Sequence, residues 1–241
     1  MIRRLAWVEW KRVMRTPLAW ITLAISLCLL SWQFLGTLEA FVGMQPGDRT
    51  LGLTHHLGLQ LFGLAAVVMF FITPLLTMRL FSETFRNGTY TLLSSAPIPV
   101  GKIVLGKATG ILLLQCLFIL IPASLCLTLA GSTTLDLGVI AAATLGLLLL
   151  SAFYTAIGLY FSILGESTAV AAAGAYGLML LLSLLDQHTE SDSFLHWLAW
   201  PSHYLNFQVG LVDSSDIAYF LLMTLFFLIL SHYRLEQRRS G

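Results

Sequence analysis

The sequence predicts an all-α integral membrane protein with six transmembrane helices, and three observations carry that prediction. Of its 241 residues, 57% are hydrophobic and 10% charged, with a mean hydropathy of +0.84. Ordinary globular domains carry about 25% charged residues, and a soluble core of this size could not hide so much apolar surface. Six apolar runs, Leu18–Leu38, Leu57–Met78, Ala108–Leu129, Leu137–Ile163, Ala169–Leu185 and Ile217–Ser231, fall near the roughly 20 residues needed to cross about 30 Å of hydrocarbon. None alternates as a barrel strand would, and a backbone out of reach of water must satisfy its own hydrogen bonds, so the spans are helices. Finally, the basic residues are lopsided. Arg3, Arg4, Lys11, Arg12, Arg15, Arg79, Arg86, Lys102, Lys107, Arg234, Arg238 and Arg239 fall on one side of this topology, and Arg49 alone on the other. By the positive-inside rule both termini are cytoplasmic.

The chain reads as one transmembrane domain over 1–241. Residues 2–16 place Arg4, Lys11 and Arg15 near one helical face and Leu5, Trp7 and Val8 near another. Such a helix lies along the interface with its tryptophans at headgroup level. The stretch is basic and then apolar like a signal peptide. Its basic part, however, runs to Arg15 and no A-x-A-like site follows Leu18–Leu30, so it is expected to be retained. Pro46-Gly47-Asp48 supplies turn chemistry to the first outer loop. The sixth run is short, and Tyr233 and Arg234 extend it to the interface. Between the fifth and sixth spans, 186–216 carries Phe194, Trp197, Trp200, Tyr204 and Phe207. It is too short to cross and too apolar to float free, which predicts an extracytoplasmic helix lying at the interface or dipping into it. The fifth span repeats small residues at Ala169, Ala173 and Gly177, and the fourth at Gly138, Ala142 and Gly146, spacings that let helices approach closely within one chain or across a dimer.

Several familiar chemistries are excluded or weakened. The net charge of +1 offers nothing to nucleic acid. Cys28, Cys116 and Cys126 sit in apolar runs without metal-ligand or redox spacing. Gly101 to Ala108 nearly spells a phosphate loop, but Ala108 replaces the magnesium-ligating hydroxyl and the stretch leads into a span. Asn87-Gly88-Thr89 matches a glycosylation acceptor on the wrong side of the membrane. His55, His56, His188, His196 and His203 match no zinc pattern, and no GxSxG or HExxH signature appears. Within the run boundaries above there is no Asp, Glu, Lys, Arg or His, which argues against a proton-driven carrier. Gln33, Gln115, Ser151, Tyr154 and Thr155 are the main polar groups able to line a path, with helix–helix hydrogen bonding the alternative for each.

The segment 79–107 is then where work could enter. Arg79 to Arg86 can prolong the second helix into the cytosol, Asn87-Gly88 interrupts it, and Thr89 to Ser94 can form a short amphipathic helix with Leu92 and Leu93 on one face. Pro97 and Pro99 stop it. The connection greatly exceeds the usual length of about 4–6 residues. Helix, break, short helix and proline stop make a hairpin-like lever for docking a soluble partner.

Glu83, Arg86, Gly88 and Thr89, spelling E-x-x-R-x-G-T, precede Leu92-Leu93, Ser95-Ala96-Pro97-Ile98 and Val104-Leu105-Gly106-Lys107. This order resembles the connection between helices 2 and 3 of ABC-2 family permeases. Glu9-Trp10-Lys11-Arg12 before Pro17 is similar to the family's first helix. Gly158 to Tyr176, Ser202 to Leu228 and the tail Leu235 to Arg239 resemble its gliding-motility permease branch. The likeness covers nearly the whole chain. It implies a six-helix permease of the bacterial inner membrane, surrounded by membrane lipid, that dimerises with a second copy or a paralogue. It implies two separate ABC ATPase subunits, which hold the ATP and magnesium; no cofactor is bound by this chain. Glu83, Arg86, Gly88, Thr89, Thr91, Leu92 and Leu93 would form the coupling helix seated on the ATPase, with Thr91 where the family often carries an acidic residue. An accessory extracytoplasmic protein is a further candidate partner. A transport subunit, most readily an exporter, is the expectation; an intramembrane hydrolase or a scaffold for a cytoplasmic partner are the alternatives.

Overall fold

The computed structural model describes residues 2–44, 52–86, 99–129, 131, 135–165, 167–188 and 197–240. Described residues form helices α1 (Ile2–Met14), α2 (Pro17–Gly43), α3 (Gly52–Thr77), α4 (Arg79–Arg86), α5 (Val100–Leu127), α6 (Leu137–Leu164), α7 (Thr168–His188), α8 (Trp200–Gln208) and α9 (Ser214–Ser240). Six of them, α2, α3, α5, α6, α7 and α9, are long and apolar enough to span a bilayer. The fold is the all-helical, six-span architecture the sequence predicts.

Local signals set the helix ends. Pro17 opens α2, where its missing N–H costs no hydrogen bond. Asp136 caps α6 by accepting from Gly138 N at 2.8 Å. Gly210, at φ +89°, closes α8: Leu211 N donates to Asn206 O at 2.9 Å and Gly210 N to Phe207 O at 3.2 Å, the paired bonds of a left-handed helix stop. Exposed Asp213 accepts from Ser215 N ahead of α9, and that bond holds its carboxyl below the usual range.

The helices outrun the apolar runs. α5 starts at Val100 instead of Ala108, α9 spans Ser214–Ser240 instead of Ile217–Ser231, and α3 starts at Gly52 instead of Leu57. Backbone hydrogen bonding continues wherever φ and ψ allow it, whatever the side chain, whereas an apolar run ends at its first charge. Lys107 and Asp216, each one residue outside its predicted span, are therefore inside span helices, and both are buried.

α6 is the central helix. It touches α3, α4, α5, α7, α8 and α9, with Leu147, Leu150, Phe153, Tyr154, Ile157, Leu159 and Ile163 fully buried. Its glycines set close crossings: a β-carbon on Gly146 would meet Phe207 Cβ at 2.5 Å, and one on Gly158 would meet Thr77 Oγ1 at 2.0 Å. On the outside, Trp20, Ile25 and Trp32 of α2 and Leu221, Leu225 and Phe226 of α9 are exposed. In a bilayer this is the stable arrangement, because lipid chains are as apolar as leucine.

α1 packs on α5 through buried Ala6, and a β-carbon on Gly110 would lie 2.9 Å from Glu9 Cβ. Trp10, Val13 and Met14 turn toward the core, whereas Trp7 and Val8 stay exposed. The apolar face expected from Trp7 and Val8 is thus not the one against the bundle. Close helix approach favours the small Ala6 opposite Gly110, and the bulky residues are left for the interface. Trp7 stacks on Trp10 at 4.8 Å.

α8 lies at the opposite end of the bundle. α1 and α4 pack near the end of α3, while α8 packs beside Gly58 and Phe62 near its start. Its residues Trp200, Tyr204 and Phe207 are buried among the span helices. The helix dips into the bundle and does not lie flat upon it.

Candidate functional site

At mid-bundle, fully buried Gln115 of α5 joins three helices. Its Nε2 donates to Thr73 Oγ1 of α3 at 2.8 Å, and its Oε1 accepts from Thr155 Oγ1 of α6 at 2.8 Å. Both ends of the buried amide are satisfied, so the group acts as a clamp between helices. Ser151 donates back to Leu148 O of its own helix. Tyr154 is fully buried against Phe70, Phe153 and Trp200, and its hydroxyl has no partner among the described residues. Gln33 is half-buried on α2; the polar bridge from α2 to α3 is made by its neighbour Thr37, whose hydroxyl lies 3.1 Å from Gln60 Oε1.

A second polar group stands at the α1 end. Pro74 interrupts the hydrogen bonding of α3, the hydroxyl of Tyr176 donates to Phe71 O beside it, and the chain turns at Met78 before α4 begins. Ser162 of α6 stitches this break. Its hydroxyl accepts from Phe81 N at 3.0 Å and Ser82 N at 3.4 Å and donates to Met78 O at 3.0 Å. These N–H groups belong to the first turn of α4, where a helix offers them no intrahelical carbonyl. The Ser82 hydroxyl donates to Met78 O at 2.8 Å and lies 3.2 Å from Ser162 O.

Lys107 adds a charge to the same junction. Its Nζ is 2.9 Å from Glu9 Oε1 of α1 and 2.7 Å from Leu80 O of α4, and it lies over the Phe81 ring. The pair is largely buried, with side-chain exposures of 7% and 13%. Glu9 Oε2 has no hydrogen-bond partner among the described residues. From α9, the Arg238 guanidinium stacks on Phe85 at 4.6 Å and donates to Leu164 O, the last residue of α6. Five helices thus meet at the root of the segment that follows α4.

The α8 end carries its own buried pair. His203 Nδ1 is 2.6 Å from Asp216 Oδ1, Asn206 Nδ2 donates to Asp216 Oδ2 at 2.9 Å, and His203 Nε2 is 2.9 Å from Trp197 O. The imidazole stacks on Tyr219 at 4.2 Å. Tyr204 donates to Phe62 O at 2.9 Å, and burial holds its phenol above the usual range.

Of the residues expected to dock a partner, Glu83 and Arg86 fall in α4, and Gly88, Thr89, Thr91, Leu92 and Leu93 lie outside the described residues. So does the expected helix Thr89–Ser94. Ala169, Ala173 and Gly177 of α7 face outward, and Gly177 has nothing within 4 Å of an added β-carbon. In α6, by contrast, Ala142 is buried and Gly146 meets Phe207. Sequence reasoning missed Glu9, Lys107, Ser162, His203 and Asp216. The expectation of spans free of ionisable groups gives way to two buried acid–base pairs, one at each end, because charges at helix ends fall just beyond the apolar runs. Ser162 was visible only as a lone hydroxyl.

No curated protein matches the chain. The family model described as ABC-2 family transporter protein, in contrast, matches residues 3–239, from within α1 almost to the end of α9. That match and the six apolar helices support a membrane-embedded permease subunit rather than a catalytic enzyme. This multi-pass membrane protein belongs to the ABC-2 transporter family.

Proposed function

We propose that this chain is the permease half of an ATP-driven exporter, worked from the segment 79–107 by separate ATPase subunits that carry the ATP and magnesium. It would sit in the bacterial inner membrane with both termini in the cytoplasm, paired with a second copy or a paralogue. One observation carries the reading. The base of that segment, α4, is tied by hydrogen bonds to α6 through Ser162 and to α5 and α1 through Lys107 and Glu9. A push on α4 would therefore be felt by the central helix and by α1 together, and the clamp at Gln115 would pass it to α3. The outward ladder of Ala169, Ala173 and Gly177 suits a second protomer. The lopsided basic residues favour the stated orientation, and the gliding-motility branch rests on the motifs quoted above.

The test is purification of the whole complex in mild detergent, followed by reconstitution. An ATPase should co-purify, and inside-out vesicles should accumulate cargo with ATP. Gly88→Trp should leave ATP hydrolysis while abolishing accumulation. Recovery of the chain with no ATPase, or unchanged accumulation by the variant, would overturn the reading.

A further inference from the structure

The buried pair at the α8 end can be counted hydrogen by hydrogen. His203 Nε2 lies 2.9 Å from Trp197 O, and a carbonyl oxygen can only accept, so this nitrogen carries a hydrogen. His203 Nδ1 lies 2.6 Å from Asp216 Oδ1. An ionised carboxylate also only accepts, and a neutral imidazole has a single N–H to give. One more proton must therefore stand between Nδ1 and Oδ1, whichever of the two atoms holds it. Without it, either two lone pairs face each other at 2.6 Å or Nε2 gives up its bond to Trp197 O.

The surroundings favour that proton. Asn206 Nδ2 donates to Asp216 Oδ2 at 2.9 Å, which supports the carboxylate charge, and the imidazole stacks on Tyr219 at 4.2 Å, where a cationic ring is favoured. α9 presents Asp216 and Tyr219 to the imidazole. α3 meets α8 at Tyr204, α7 at Trp200, and α6 at Phe207 and, through Tyr154, at Trp200. Among the described residues, no charged group from those three helices bonds to His203 or Asp216. Asp213, in the turn before α9, is exposed and accepts from Ser215 N. We propose that His203 and Asp216 form a proton-binding site that latches α8 into the bundle. Trp200 and Phe207 ride one turn to either side of His203, the first against Tyr154 and the second in the notch at Gly146. Loss of the proton sets acceptor against acceptor between α8 and α9 and loosens the seat of both aromatics. The inference stands apart from the direction of transport and from any ATPase.

The test is equilibrium unfolding of the purified full chain in uncharged detergent, by titration with dodecyl sulfate, from about pH 5 to about pH 8.5, a range that brackets free imidazole at about 6.5. Above about pH 6.5 the unfolded chain has released the proton and the folded chain keeps it. Stability therefore falls as pH rises, by up to about ten-fold per pH unit in the folded-to-unfolded ratio, and levels off below that point, where both states hold the proton. Asp216→Asn supplies an amide that can donate to a neutral imidazole, so Nε2 keeps Trp197 O with no added proton. Relative to the unaltered chain, this variant should gain about ten-fold per pH unit above about pH 6.5 and nothing below it. A ratio between the two that stays constant across the series would overturn the proposal. His203→Gln should lose the same pH-dependent part, and its retention would place the titration elsewhere and overturn the site. If Asp216→Asn does not fold, His203→Gln decides.

Discussion

The two buried acid–base pairs occupy opposite ends of the bundle and are built differently. Asp216 has both carboxylate oxygens engaged, one by His203 and one by Asn206, while the imidazole is also held by Trp197 O and by the stack on Tyr219. Glu9 has one oxygen on Lys107 and the other without a partner among the described residues. A polar network with every member satisfied rigidifies its surroundings; one left incomplete has less to lose by rearranging. The α8 end is thus built to hold, and the α1 end can exchange partners. That division suits a protein in which any motor would act at one end only.

The largest expected effect sharpens this contrast. Asp216→Ala removes one partner of a buried pair and strands His203 and Asn206, and should cost about 3–5 kcal/mol of stability, read as a fall in melting temperature in detergent. If Asp216→Ala melts like the unaltered chain, the α8 end is not the rigid one. Lys107→Met at the other end should cost less, about 1–3 kcal/mol, because it strands one carboxylate where Asp216→Ala strands two partners. Adding Glu9→Gln should recover most of that loss; a double variant no better than Lys107→Met would refute a direct pairing.

Gly58→Ala tests how tightly α8 is seated. Its β-carbon would fall 2.1 Å from the Gln208 carbonyl oxygen, a backbone atom, so helices must separate at a cost of about 1–3 kcal/mol. Gly36→Ala, with nothing within 4 Å, should be silent in the same melting assay. Ser162→Ala should cost about 0.5–1.5 kcal/mol of stability. Its signature should appear instead in transport, as ATP hydrolysis that no longer moves cargo. Unaltered transport by Ser162→Ala would remove the stitch from the coupling route.

The fold was legible because the bilayer asks a simple question of each run of residues. Leu57–Met78 and Leu137–Ile163 answer it by composition alone, and tertiary packing need not be known. The site was less legible, for reasons that differ by residue. Gln115 was visible as a rare amide in an apolar run, and its role as a clamp was one of two open readings. Lys107 and Asp216 escaped because one position separates them from runs defined by the absence of charge. Ser162 is indistinguishable in sequence from Ser151, which among the described residues bonds only to its own helix; its role depends on the turn at Met78, on a different span. Which face of α1 packs inward depended on Gly110, distant in sequence.

The filled middle of the bundle has a consequence for geometry. Phe153, Tyr154, Gln115 and Thr155 occupy the axis, and Trp200 and Phe207 stopper it from above. While those side chains stay packed, cargo moved with the protein's help would have to skirt its flank, in the seam between one copy and the next.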